Sequence, residues 1–369
     1  MRIGIDARLY YESGVGRYIK NTLEQLDERC RTEKIDHKFF IFLSSKGFQQ
    51  IHFNSNNLIK VEADISWHSL QEQFLFAKLL NSYNLDLMHF TYFSLPIFYR
   101  KKFVVTIHDL IINHVNTGKA TTLPKPLYYL KRFVYHKVIR YAVKNSIYII
   151  SPSDATRDEV VSYYKIKKEK IIVIPEGVDP EVKKIKKPQI KIPMPYILYV
   201  GNAYPHKNLN RLVESYVSIE NTIKQELLLV GRSDYFYKRL HNKIRNHKKI
   251  HILHGISDNE LAYLYKKADF LIAPSLMEGF GLTPLEAMGN GCLPVVSRID
   301  AFYQVCRNAA LYFNPKDIQD ISLVLSNAAN LSTQEKSKYK KRFRDRLELF
   351  SWKKSIERTL SVYERCNSI

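Results

Sequence analysis

The chain has 369 residues, 45% of them apolar and 25% charged, which is enough for two packed cores and too apolar for a disordered chain. Thirteen glycines and 14 prolines exclude a collagen-like or low-complexity polymer, and four scattered cysteines (Cys30, Cys292, Cys306, Cys366) argue against a disulfide framework or a zinc site and for a reducing compartment. Fifty-seven Lys and Arg against 36 acids leave a net charge of +21, which calls for an anionic partner: phosphate, nucleic acid or an acidic membrane surface.

Met1–Asp6 meets an acid at once and has no long apolar core, so a secretory leader is not expected there, and the β-rich run Arg2–Asp6 reads as a strand. Further β-rich runs follow at Lys38–Leu43, Leu87–Phe90, Phe103–Ile107, Ile147–Ile150 and Ile171–Ile174. A second series lies at Tyr196–Val200, Glu226–Val230, Lys249–Leu253, Phe270–Ala273 and Leu293–Val296. Amphipathic segments alternate with them, among them Gly16–Glu28, Asp154–Tyr164, Leu209–Glu220 and Asp258–Lys267. This alternation predicts an α/β protein with parallel sheets covered by helices on both faces. Prolines and lysines after Pro180 disfavour a continued helix, so we place a first domain at 1–182, a linker at 183–195 and a second domain at 196–351. No segment reaches the roughly 18 uninterrupted apolar residues that cross a bilayer, and the expectation is a cytoplasmic protein.

The charge excess is uneven. Residues 101–150 carry nine basic residues and one acid, Asp109. Within them Pro124–Lys144 places Leu127, Leu130, Phe133/Val134, Val138 and Ala142 at helical spacing with Lys131, Arg132, Lys137, Arg140 and Lys144 mostly elsewhere. Either this is an ordinary core-packed helix with a solvated face, or it is a surface for an anionic membrane or a lipid diphosphate. No recognised nucleic-acid module accompanies the charge, so nucleic acid is not expected as a partner.

The sharpest segment runs from Pro274 to Gly289, "PSLMEGFGLTPLEAMG", directly after the strand Phe270–Ala273. Thr283 suits an N-cap and Pro284 the first turn of a helix. Gly279 and Gly281 let the backbone approach a ligand, with amides facing an anion. Glu278 precedes the helix and Glu286 is expected on its first turn, so the two carboxylates suit a polyhydroxylated ligand. The bland alternative is a glycine-rich turn beside a solvated acid. His108-Asp109 follows the strand Phe103–Ile107; the histidine is either a cleft-facing hydrogen-bonding group or a satisfied loop residue with Asp109 as a cap. Gly14-Val15-Gly16 lacks the third glycine of a dinucleotide site, so a hydride-transfer cofactor is not expected. There is no Asp-x-Asp, no metal-ligand spacing and no Gly-x-Ser-x-Gly elbow, so no resident metal or cofactor is expected.

The Glu278-x7-Glu286 spacing in "EGFGLTPLEAMGNG" resembles the donor site of family-4 retaining glycosyltransferases. "YVGNAYPHKN" (199–208), "ISPSDATRDEV" (150–160), "IIVIPEGVD" (171–179), "HGISDNELAYLYKKAD" (254–269) and "FSWKKSIERTLSVY" (350–363) resemble further stretches of that family, in its order. The resemblance implies a GT-B fold, two Rossmann-like doubly wound domains facing across a cleft, with a closing helix near 352–369 that packs on the first domain. It implies that Glu278 contacts sugar hydroxyls and Glu286 the nucleotide ribose, and that Phe280, Gly281, Leu282 and Thr283 line the sugar and diphosphate. It further implies that Lys207 offsets the leaving group's charge, that Gly255 and Ile256 lie at the nucleobase, that Gly14 and Gly16 flank the phosphates and that His108 lies near the donor sugar. Two positions depart from the family. Asn202 stands where an Arg is common, which makes Arg232 a substitute beside Lys207, and Gln304 stands where a Glu is frequent.

The overall resemblance is to bacterial mannosyltransferases of surface-polysaccharide assembly. It implies GDP-mannose as donor, a glycan or lipid-linked oligosaccharide as acceptor, and peripheral contact with the inner face of the cell membrane. UDP- or dTDP-sugars are the alternative donors. A noncatalytic sugar-nucleotide binder is the alternative function, against which the presence of both Glu278 and Glu286 speaks.

Overall fold

The protein is described here by a computed structural model covering residues 1–12, 14–114, 125–178 and 185–368. Two compact units emerge, one from Met1–Leu110, Thr122–Gly177 and Trp352–Ile369, the other chiefly from Val178–Ser351. The boundary expected at residue 182, the start of the linker at 183–184, Lys119 and the Pro124 start of the basic segment lie outside the described residues.

In the first unit the apolar runs form β1 (Arg2–Asp6), β2 (Lys38–Leu43), β3 (Leu58–Glu62), β4 (Leu87–Phe90), β5 (Phe103–Thr106), β6 (Ile149–Ser151) and β7 (Ile171–Val173). They make one parallel sheet in the order β3-β2-β1-β4-β5-β6-β7. All four residues of β4 and of β5 are buried, as strands covered on both faces require. The connections carry α1 (Val15–Thr32), α2 (Ser45–Gln50), α3 (Ala77–Ser82), α5 (Lys125–Asn145) and α6 (Asp154–Tyr164), while the short α4 (Ile111–His114) between β5 and α5 is grouped with the second unit.

The second unit repeats the plan. Strands β8 (Tyr196–Val200), β9 (Glu226–Val230), β10 (Ile250–Leu253), β11 (Phe270–Ala273), β12 (Pro294–Ser297) and β13 (Leu311–Phe313) form a parallel sheet in the order β10-β9-β8-β11-β12-β13. The helices are α7 (Leu209–Ile219), α8 (Tyr235–Ile244), α9 (Asp258–Lys267), α10 (Leu282–Gly289), α11 (Asp300–Cys306), α12 (Ile318–Asn330), α13 (Thr333–Lys340) and α14 (Phe343–Leu347). In each sheet the strand order reverses once, beside β1 and β4 and beside β8 and β11. Loops leaving the carboxyl ends at such a reversal diverge and open a crevice where ligands bind in this class of sheet. Leu198 of β8 pairs with Leu271 of β11, so the loops after Val200 and Ala273 leave the sheet side by side.

The final helix, α15 (Trp352–Asn367), belongs to the first unit. It buries Trp352, Ile356, Leu360 and Tyr363, and the Tyr363 hydroxyl lies 2.6 Å from His89 Nδ1 on β4. The expected apolar stripe of α5 divides. Val138, Ile139, Ala142 and Val143 enter the core, whereas Leu127, Leu130, Phe133 and Val134 remain exposed. Among the described residues no helix is long and apolar enough to cross a membrane.

Candidate active site

Strand β11 ends at Ala273, and the chain turns once before α10 begins at Leu282. Gly281 caps the helix with φ +123°, a conformation that a side chain disfavours, and a Cβ there would lie 3.0 Å from Phe302. The expected cap at Thr283 is therefore corrected: Gly281 takes that place, and no side chain caps the helix. Its first amides are left without the usual internal acceptor. Glu286 becomes the fifth helical residue, in the second turn and not the first. Phe280 is buried, so its backbone and not its ring is available at the turn.

The loop after β8 is fastened to this turn. Gly201 N–H donates to Val230 O, and the hydroxyls of Tyr237 and Tyr199 donate to the carbonyls of Gly201 and Asn202. A short 3-10 turn, Pro205–Lys207, ends at Asn208, which is left-handed (φ 61°) and buried. Asn208 Nδ2 donates to Pro274 O at 3.1 Å and to Pro315 O at 2.7 Å, and Leu276 N–H donates to His206 O at 2.7 Å. These bonds carry Lys207 to Glu278, 71 residues on, where Nζ donates to Oε1 at 2.6 Å. Ser275 Oγ donates to the same oxygen, also at 2.6 Å.

Both side chains of the ion pair are largely covered, at 19% and 17% exposure. Burial pushes the Glu278 carboxyl up, but the Lys207 ammonium and the two hydrogen bonds outweigh it and hold the group below the usual carboxylate range. Glu278 is thus ionised at neutral pH. Beside the pair, burial and the Lys207 charge push His206 down to about 4, so this imidazole is neutral.

The remaining donor-side residues sit at the same edge. Asn202 follows β8, its Oδ1 accepting from Tyr204 N–H at 3.3 Å, and Arg232 is exposed after β9. Gly255 and Ile256 follow β10, just before the Ser257 capping box that starts α9. Glu286 accepts a hydrogen bond from Tyr265 of α9 at 3.0 Å. The residues selected in this unit as donor contacts therefore lie in the loops leaving the carboxyl ends of four adjacent strands, β10-β9-β8-β11, or in the helix α10 that follows β11. Gln304 lies in α11, where its carbonyl accepts from Arg346 Nη2 at 2.6 Å.

In the first unit Gly14 caps α1, and Gly16 packs so tightly that a Cβ would lie 2.5 Å from Tyr10 O. His108 lies after β5, buried, with Nδ1 3.1 Å from Glu176 Oε1 and Nε2 3.0 Å from Thr91 O. Burial pushes it down, yet the Glu176 hydrogen bond and charge, with the Thr91 carbonyl, hold it above its usual range. Both ring nitrogens face acceptors, the arrangement of an imidazolium. Sequence reasoning missed Glu176, Ser275, Asn208 and Tyr265; all four lie inside or beside recognised segments, but no spacing rule assigns them these partners.

Residues 13–182 match the family described as Glycosyltransferase Family 4, and residues 181–346 the family described as Glycosyl transferases group 1. The O-antigen chain mannosyltransferase RfbU of Salmonella typhimurium is 31% identical over 242 residues, 63% of this chain and 67% of that protein. The chain is a family-4 glycosyltransferase. A second relative, the serotype-specific mannosyltransferase WbdA of Escherichia coli, is 28% identical over 243 residues, 62% of this chain but only 29% of that longer protein. Among solved structures, a sucrose-phosphate synthase from Thermosynechococcus elongatus has a TM-score of 0.76 at 17% identity, covering 100% of this glycosyltransferase and 99% of that chain. A glycosyltransferase from Rickettsia africae has a TM-score of 0.69 at 19% identity, covering 99% and 98%. At these identities the likeness shows the fold alone, and that fold is GT-B.

Proposed function

We propose that this glycosyltransferase moves mannose from GDP-mannose, with retention of anomeric configuration, onto a glycan or lipid-linked oligosaccharide of a surface polysaccharide. The observation that carries the reading is the Lys207–Glu278 pair beside the uncapped start of α10, in a chain similar to O-antigen mannosyltransferases. On this reading an arriving donor splits the pair. Glu278 turns to sugar hydroxyls, Lys207 to the diphosphate, and Glu286 to the ribose. The amides of Phe280 to Thr283, with Asn202 and Arg232, take up the negative charge that develops on the leaving group. Gly255 and Ile256 border the base, Gly14 and Gly16 the phosphates. His108 supplies positive charge and shape through its bonds to Glu176 and Thr91. In the transfer, the bond from the anomeric carbon to the β-phosphate oxygen breaks and the acceptor oxygen bonds the same face. The acceptor proton passes to the departing phosphate. The charge of that phosphate is met by the ammonium and the amides, without a resident metal.

A thermal-shift panel of GDP-, UDP- and dTDP-sugars tests the donor, since a ligand that binds only the folded state raises its apparent stability. GDP-mannose is expected to give the largest rise. A larger rise with a UDP- or dTDP-sugar reassigns the donor, and no rise with any of them removes the reading.

A further inference from the structure

Three rings form a row at the carboxyl end of the first sheet. His108, after β5, lies 6.5 Å from Tyr92, which follows β4, with the ring planes 29° apart. Tyr92 lies 6.4 Å from Trp67, on the segment after β3, at 86°. The row runs outward: His108 is buried, Tyr92 half-buried and Trp67 42% exposed. The chain's other tryptophan, Trp352, is buried.

The loop that carries Trp67 is tied to the end of β1. Asp6 holds the Arg8 guanidinium in two hydrogen bonds, at 2.9 and 2.7 Å. Arg8 donates in turn to Ile65 O at 3.0 Å and to Glu72 Oε1 at 2.7 Å, on either side of the tryptophan. His68, next to Trp67, has a left-handed backbone (φ 55°), uncommon for a residue with a side chain and found where the surroundings impose it. Here its N–H donates to Glu72 Oε2 at 3.1 Å and to Ser94 Oγ at 3.3 Å. The Ser94 hydroxyl gives its one proton to Glu72 Oε2 at 2.8 Å. The 3.1 Å contact between Ser94 Oγ and His68 Nδ1 therefore needs the proton on Nδ1. Burial, with the Lys131 and Arg8 charges, pushes His68 down to about 4, so the ring is neutral and Nε2 keeps a lone pair. No described residue donates to that nitrogen.

An exposed indole on a loop held this firmly loses little freedom when a ligand stacks on it. A pyranose suits both features, its C–H face lying on the indole and a hydroxyl donating to Nε2. A nucleobase would also stack, but the row starts at His108, which on the proposed reaction meets the reacting sugar. We propose that Trp67, His68 and Tyr92 form an acceptor-sugar subsite, with a pyranose face on the Trp67 indole and one of its hydroxyls donating to His68 Nε2. The subsite rests on the proposed transfer, since it seats the acceptor beside His108.

The test is tryptophan fluorescence of the full chain, titrated with the methyl α-glycosides of mannose, glucose, galactose and rhamnose, and separately with GDP. At least one glycoside is expected to change the emission saturably, and Trp67→Phe to remove the change. With that glycoside as acceptor, Trp67→Ala and His68→Asn are expected to raise its KM about tenfold or more. Asparagine is chosen because it tolerates the left-handed backbone. Both variants, folded by circular dichroism, are expected to keep the parent's rise in Tm with the sugar nucleotide. Three results overturn the proposal: no glycoside alters the emission, GDP alone alters it, or both folded variants keep the acceptor KM within about threefold. A parent whose Tm no sugar nucleotide raises removes the transfer reading instead, and the glycoside titration still decides whether a sugar binds at Trp67.

Discussion

Glu278→Gln tests the proposed donor site most directly. The carboxylate oxygen Oε1 accepts from Lys207 and from Ser275, both at 2.6 Å, in a position where each partner of the ion pair is less than a fifth exposed. Glutamine keeps the size and one acceptor but removes the charge. A charged hydrogen bond contributes about 1.5–3 kcal/mol, and the partial exposure of Lys207 places the loss of stability near the lower end. For a domain of this size that corresponds to a fall in Tm of about 3–6 °C, small enough to leave the protein folded. Transfer is affected more, because a fixed charge at the reacting sugar acts where water is excluded. A loss of about 2–3 kcal/mol of transition-state stabilisation lowers kcat/KM about 30- to 150-fold. The assay is transfer of labelled mannose to an isolated acceptor, with circular dichroism of each variant. A cycle with Lys207→Met and the double variant separates the pair from its parts, and strong coupling is expected because the groups touch. A folded Glu278→Gln enzyme that retains transfer within about threefold of the parent refutes the assignment.

Glu286→Ala is expected to weaken donor binding by about 1–3 kcal/mol, measured by calorimetry, with a smaller effect on turnover of bound donor; an unchanged Kd sinks the ribose role. Activity is expected to survive excess EDTA if the Lys207 ammonium and the amides at the start of α10 meet the leaving group's charge as proposed; loss restored only by Mg²⁺ or Mn²⁺ contradicts the part given to Lys207. His89 is fully buried between Thr106 and Tyr363, and burial, with His108, pushes it down to about 3. The unfolded chain binds a proton there below about pH 6.5 that the folded chain refuses, so stability present above pH 6.5 is lost as pH falls towards 3, on the order of 5 kcal/mol for this one group. His89→Gln is expected to flatten that acid limb in urea midpoints taken across the range, and an unchanged slope rules the account out.

How far the sequence could be read depends on which forces were local. Strands β1, β2, β4, β8, β9 and β11 begin and end where their apolar runs do, because burial on both faces demands uninterrupted apolar side chains. Strand β3, "LIKVE", and β13, only three residues long, escaped notice. Both are edge strands, where one flank is free and the composition is less constrained. The start of α10 was misplaced because Thr283-Pro284 is a sound cap signal, and only the positive φ of Gly281 shows that the helix has already begun. The stripe on α5 has one period along its length, so periodicity alone could not show that half of it faces solvent; that depends on where the rest of the sheet ends. The site follows the same division. Spacing joins Glu278 to Glu286, but nothing local joins either to Lys207. Their meeting is a consequence of topology. The sheet places β8 beside β11, and Asn208, in a left-handed conformation, binds the carbonyls of Pro274 and Pro315. A buried side-chain amide next to Lys207 in the chain thus holds the loop that brings the ammonium to the carboxylate. The same reasoning explains His108. Its place after a strand was legible, but the Glu176 carboxylate that favours its protonated form arrives from 68 residues away, through the neighbouring strands β6 and β7.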